Sequence, residues 1–179
     1  MKIAISGTHC SGKTTLVEEL ADALPTYEVV EEPYYLLEEQ GHQFAEISDR
    51  EDFELQLDRS IKCIVSGGSD SLFERCPVDF LAYLFAHRDS LRFDVARWLP
   101  RVRSAVEQLD LIVFVPVENP DRIRVPGSEN AGLRRRVDEQ LRQLLTDNPW
   151  ELDVRVLEVT GTAPERARRV VAHLRSLGP

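Results

Sequence analysis

The run Gly7-Thr8-His9-Cys10-Ser11-Gly12-Lys13-Thr14 fits the pattern G-x-x-x-x-G-K-[ST], and its chemistry follows from its residue types. Two glycines let the backbone curl so that consecutive N–H groups converge on one point, and the start of a helix adds partial positive charge there. Such a nest binds phosphate. The ammonium of Lys13 is spaced to reach the β- and γ-phosphates of a nucleoside triphosphate, and the Thr14 hydroxyl to coordinate Mg2+. Thr15 follows in the first helical turn and closes the expected nucleotide-binding set, Gly7 to Thr15. His9 and Cys10 occupy variable positions of the loop, where packing is expected before any ligand or redox role.

Such a loop works only between a strand and a helix, and the flanking residues supply both. Lys2 to Ser6 is a short apolar run that stops at Gly7, and a helical pattern opens at Lys13 with Leu16, Val17 and Leu20 on one face. Further strands are predicted over Tyr27 to Glu31, Ser71 to Glu74, Leu111 to Val115 and Val154 to Val159. Leu111-Ile112-Val113-Phe114-Val115 is apolar without a break, as in a strand buried on both faces of a parallel sheet. Helices are predicted from Tyr34 to Glu39, from an N-cap at Asp49 to a stop at Gly67-Gly68, from Pro77 through Phe85, and from Leu91 to Gln108 with an interruption near Pro100. Two more span Leu133 to Leu145 and Pro164 to Leu177. Strands that alternate with helices imply an α/β fold with one mostly parallel, five-stranded sheet.

The 179 residues suit one domain, and 42% hydrophobic with 30% charged residues is a globular composition. A net charge of −9 argues against a general electrostatic grip on nucleic acid or an anionic membrane. No apolar stretch reaches the length of a membrane span, and the expected compartment is the cytoplasm. Cys10, Cys63 and Cys76 are odd in number and widely spaced, which fits reduced thiols and neither a disulfide framework nor a zinc site. The acid that a switch GTPase or motor ATPase carries at the end of a central strand is missing after Leu111 to Val115, which runs into Pro116; it stands instead in Phe73-Glu74-Arg75.

Four more segments, Val29-Val30-Glu31-Glu32-Pro33-Tyr34, Phe73-Glu74-Arg75-Cys76-Pro77, Phe53-Glu54-Leu55-Gln56 and the basic stretch Asp121-Arg122-Ile123-Arg124, complete a pattern with the glycine-rich loop. Over almost its whole length the chain resembles the nucleoside and nucleotide kinase branch of the P-loop phosphotransferases, especially the deoxyribonucleoside kinases. It equally resembles small AAA-type, kinase-like ATPases related to the nicotinamide riboside kinases. The resemblance implies a three-layer P-loop NTPase fold with a lid segment at about 118–136, and ATP and Mg2+ as cofactors. It makes Glu32 the base toward the accepting hydroxyl, Glu74 a partner of Mg2+, and Arg75 a phosphate- or base-orienting group, with Cys76 where the family more often has serine. It makes Gln56 the reader of a nucleobase edge, Arg124 first and Arg134 second the lid arginine at the transferring phosphoryl, and Gly161-Thr162 the loop that holds adenine. The last loop also reads as an ordinary strand-to-helix turn with Thr162 as N-cap. Asp79 and Tyr83 lie one helical turn apart, so both can face one pocket; with Tyr34 they join the candidate substrate residues.

The resulting expectation is a catalytic set of Lys13, Glu32, Arg75 and Arg124 in a kinase that moves the γ-phosphoryl of ATP to a nucleoside-like small molecule. A P-loop ATPase or regulator without a small acceptor uses the same loop and drops Gln56, Asp79 and Tyr83. A nucleoside monophosphate kinase differs only in its acceptor and draws on Arg59 and Lys62 as extra cations. Of Arg134, Arg135 and Arg136, at least one is expected to pair in solvent with Asp138 or Glu139. On the long helix, Leu55, Leu57 and Ile61 offer a homodimer face or pack on the sheet.

Overall fold

The computed structural model describes residues 1–45, 48–123 and 130–177. Five parallel strands, β1 (Lys2–Ser6), β2 (Glu28–Val30), β3 (Ser71–Glu74), β4 (Leu111–Phe114) and β5 (Val156–Glu158), form one sheet in the order β2-β3-β1-β4-β5. Seven helices accompany them among the described residues: α1 (Lys13–Ala23), α2 (Pro33–Glu39), α3 (Arg50–Ser66), α4 (Pro77–Ala86), α5 (Val95–Val106), α6 (Ala131–Arg142) and α7 (Ala163–Ser176).

Strand periodicity makes the three layers. Ile3, Ile5, Leu72, Leu111 and Val113 point to one face, where Leu16, Val17 and Leu20 of α1 and Ala167 and Val170 of α7 cover them. Ala4, Phe73, Ile112 and Phe114 point to the other and pack under α3, α4, α5 and α6. Leu57 and Ile61 of α3 belong to this second core, so that face of the helix is used inside the molecule.

The predicted elements recur with shifted ends. β2 and β5 are shorter than predicted because they are the sheet edges, where only one neighbour holds the ladder. The helix predicted from Leu91 starts later: Ser90–Arg92 form a separate 3-10 turn, and the Asp94 side chain then accepts the Arg97 N–H at the start of α5. Pro100 does not interrupt α5, since it sits on the exposed side, where the carbonyl it leaves free meets water. Asp49 caps α3 through a reciprocal bond pair with Asp52, and α3 stops at Gly67.

The chain leaves β1 to reach β2 and β3 on one side and β4 on the other. That reversal opens a crevice at the carboxyl ends of the strands, where open α/β sheets take ligands. The loop after β1, Glu32 after β2 and Arg75 after β3 all emerge there.

Candidate active site

The loop between β1 and α1 has the curled form that its sequence implies. Gly12 has φ +87° and Cys10 φ +52°, and a side chain at Gly7 would start 2.5 Å from the Val115 carbonyl oxygen. Its carbonyls are held from outside, largely by cations. Arg75 Nη1 donates to Gly7 O at 2.9 Å and Lys13 Nζ to Thr8 O at 2.8 Å. Arg134 donates to His9 O at 3.1 Å and to Cys10 O at 2.9 Å, and Arg166 to Ser11 O at 2.9 Å. The Gly12 carbonyl takes the Leu16 N–H of α1 at 3.2 Å.

A cavity of about 460 Å³ opens beside this loop. Lys13 and Thr14 line it with Glu32, Glu74 and Arg75, and Tyr34, Phe53, Gln56, Phe80 and Tyr83 line it as well. The Thr14 hydroxyl donates to Glu74 Oε1 at 2.6 Å, which brings two oxygen ligands of the type magnesium prefers to one place. The Arg75 guanidinium pairs with Glu32, lies 3.6 Å from Asp79 and sits over the Tyr83 ring at 5.3 Å. Arg75 has φ +72°, an uncommon conformation for a side-chain-bearing residue; its buried, multiply bonded guanidinium holds it there.

Charge is concentrated here under little water. Burial, and then the nearby Arg75, lowers the Lys13 ammonium to about 8. Burial pushes the Glu32 carboxyl up, but Arg75 and Lys13 more than reverse this, so Glu32 is held ionised. Burial, followed by Arg75 and Lys13, lowers His9 to about 4, which keeps its ring neutral at physiological pH. Lys13 and Arg75 are thus buried beside the carboxylates of Glu32, Glu74 and Asp79, and burial is the largest cost to the Lys13 charge.

The structure gathers Lys13, Thr14, Glu32, Tyr34, Gln56, Glu74, Arg75 and Tyr83 around one cavity, with His9 and Cys10 at its rim. Asp79 is not among them. It is wholly buried: Oδ2 accepts from Ser6 Oγ at 2.8 Å and from the Cys76 N–H at 2.9 Å, and Oδ1 from the Gly7 N–H at 2.9 Å. At the third position of α4 its side chain folds back onto the helix start, whereas Tyr83 one turn on faces the cavity and accepts the His9 N–H at 2.9 Å. Thr15 is exposed on α1, outside the cavity. The donors of Gly161 and Thr162 are taken within the protein, Gly161 N–H by Glu118 at 2.9 Å and Thr162 N–H and Oγ1 by Glu165 at 2.8 Å, so Thr162 is the cap of α7. Arg124 lies outside the described residues. Arg134 binds loop carbonyls and Asp121, Arg136 binds Ala86 O at 3.2 Å, and Asp138 accepts the Val117 N–H at 2.8 Å.

Sequence reasoning missed Glu118 and Arg166. Arg166 is four residues before the buried Val170 on α7, and an arginine on the core-facing stripe of a helix was the available signal.

The sheet order, the strand–loop–helix unit and the lysine–threonine pair define a protein of P-loop kinase fold. Solved structures agree on that fold. Deoxyadenosine kinase from M. mycoides, with products dCMP and dCDP bound, superposes with a TM-score of 0.66 at 16% identity, over 99% of this chain and 100% of its own. Thymidylate kinase from Candida albicans gives 0.64 at 15%, over 98% and 91%, and shikimate kinase from Aquifex aeolicus 0.60 at 15%, over 100% of both. No curated protein matches by sequence. The AAA-domain family model matches residues 2–166, and the chain belongs to that family.

Proposed function

We propose that the protein is an ATP- and Mg2+-dependent phosphotransferase that moves the γ-phosphoryl group to a hydroxyl of an uncharged, nucleoside-like acceptor. One observation carries this reading: the cavity that Lys13, Thr14 and Glu32 line is also lined by aromatic rings and by the amide of Gln56. Water needs no such lining. A planar ring packed against aromatic side chains does, and an amide offers it a donor and an acceptor together.

In this reading residues 1–179 are one domain, with about 118–136 as a lid that carries Arg124. The loop N–H groups and Lys13 hold the β- and γ-phosphates. Thr14 and Glu74 would hold magnesium, which would neutralise phosphate charge. The acceptor oxygen attacks the γ-phosphorus, the bond to the β-phosphate oxygen breaks, ADP leaves, and the hydroxyl proton passes to Glu32. Glu32 is a weak base because Arg75 holds it ionised, and a weak base is sufficient where the transition state is loose and the proton leaves late. Glu32→Gln should lower transfer by about 10²–10⁴-fold while ATP binding is kept; unchanged turnover would remove the role.

Among acceptors, a neutral molecule is favoured over a monophosphate. Neither Arg59 nor Lys62 lines the cavity, and Lys62 is exposed and paired with Asp58 at 2.7 Å. Thermal-shift measurements with a non-hydrolysable ATP analogue present should therefore show stabilisation by nucleosides and not by their monophosphates. The reverse ranking would favour the nucleotide kinase reading.

A further inference from the structure

A nest of N–H groups has its carbonyls turned outward, and a buried outward carbonyl needs a donor. At Ser11 that donor is Arg166, whose guanidinium reaches the loop from the far end of the chain, across the first turn of α7. Arg166 is buried, and its second bond is a charge-assisted one from Nη2 to Glu118 Oε1 at 2.8 Å. Glu118 is fixed in turn by Gly161 N–H at 2.9 Å and by Arg122 at 2.8 Å. Burial pushes the Glu118 carboxyl up, and the bonds from Arg166, Gly161 and Arg122 bring it down to about 2. The guanidinium also lies against Gly12: a side chain at Gly12 would start 3.0 Å from Arg166 Nη1. The position therefore requires glycine for contact as well as for its φ of +87°.

We propose that Arg166, oriented by Glu118, is a positioning residue that keeps the Ser11–Gly12 peptide turned so that the loop's N–H groups point at bound phosphate. The proposal rests on the phosphate-site reading above and adds a residue no part of the glycine-rich pattern contains. Arg166 acts through the loop, so its effect falls on the phosphate chain and is the same with or without an attached nucleoside.

The test compares binding of ATP and of inorganic tripolyphosphate, each with Mg2+, by calorimetry to wild type, Arg166→Met, Arg166→Lys and Glu118→Gln, with melting temperatures measured in parallel. Loss of a charge-assisted bond of this kind should weaken both ligands by about tenfold in Arg166→Met, with Arg166→Lys recovering part of the loss. Glu118→Gln, which keeps the arginine and removes its ion-pair partner, should weaken both by about threefold and serves if Arg166→Met does not fold. Variants that melt lower yet bind both ligands as wild type does would overturn the proposal and leave Arg166 a fold-stabilising residue only. A loss confined to ATP would also overturn it, because the contact would then be to the nucleoside. Wild-type protein that binds neither ligand would overturn the phosphate-site reading itself.

Discussion

Lys13 carries the clearest residue-level consequence of the site's electrostatics. Its ammonium is lowered to about 8 by burial and by Arg75, and a bound polyphosphate would raise it again. Above pH 8 Lys13 has largely lost its proton in the ligand-free protein, and binding must take one up. Triphosphate affinity should therefore be flat below pH 8 and fall by up to tenfold per pH unit above it. Calorimetry in buffers of different ionisation heat should register that proton uptake near pH 9; affinity independent of pH from 7 to 10 would be inconsistent with the burial of Lys13. At this scale the sequence was informative where a motif fixes a residue by its neighbours. Lys13 and Thr14 could be named from the glycine-rich pattern, and Glu32 and Arg75 from the motifs that carry the resemblance to nucleoside kinases. Arg166 could not, since its partner Ser11 is 155 residues away and no local pattern joins them.

At the scale of elements, α4 is locked to β1 by the buried Asp79 carboxylate, which joins Ser6, Gly7 and the Cys76 N–H. Asp79→Ala leaves those three donors without their acceptor in a dry site and should cost roughly 3 kcal/mol or more. Denaturant unfolding measures it, and a loss below about 1 kcal/mol would restore Asp79 to the candidate substrate residues. The same residue shows the limit of helical spacing as a guide. Residues four apart share a face within a helix, but at the third position a carboxylate is drawn to the free N–H groups of the first turn. Strand assignment was more secure. The apolar run Leu111 to Val115 announced a central strand, and Val29 and Val156 announced edges only after pairing was known, because edge strands lack a neighbour and not hydrophobicity.

For the whole molecule, His9 and Lys13 each tie stability to pH. His9 is lowered from 6.5 to about 4, so the folded state binds fewer protons than the unfolded one between those values. Stability is complete above pH 6.5 on this account and is lost as pH falls through 4. Lys13 has the same sign in a higher window: its contribution is present above 10.5 and lost as pH falls through 8. Ligand-free protein should hence become less stable from pH 10.5 to 8 and again from 6.5 to 4, and saturating polyphosphate should remove the upper step. Chemical denaturation across pH, with and without tripolyphosphate, reads both; a stability that rises on acidification from pH 6.5 to 5 would show that other groups dominate.

Whether the cavity receives an acceptor at all is decided by ATP consumption with Mg2+ across nucleosides, nucleoside monophosphates, nicotinamide riboside and related small alcohols, with mass spectrometry of the products. The expected result is ADP formation that depends on an uncharged nucleoside-like acceptor, with one phosphoryl group added to it. Slow hydrolysis indifferent to every acceptor would instead make the protein an ATPase or a nucleotide-dependent regulator, and the aromatic wall a part of its core.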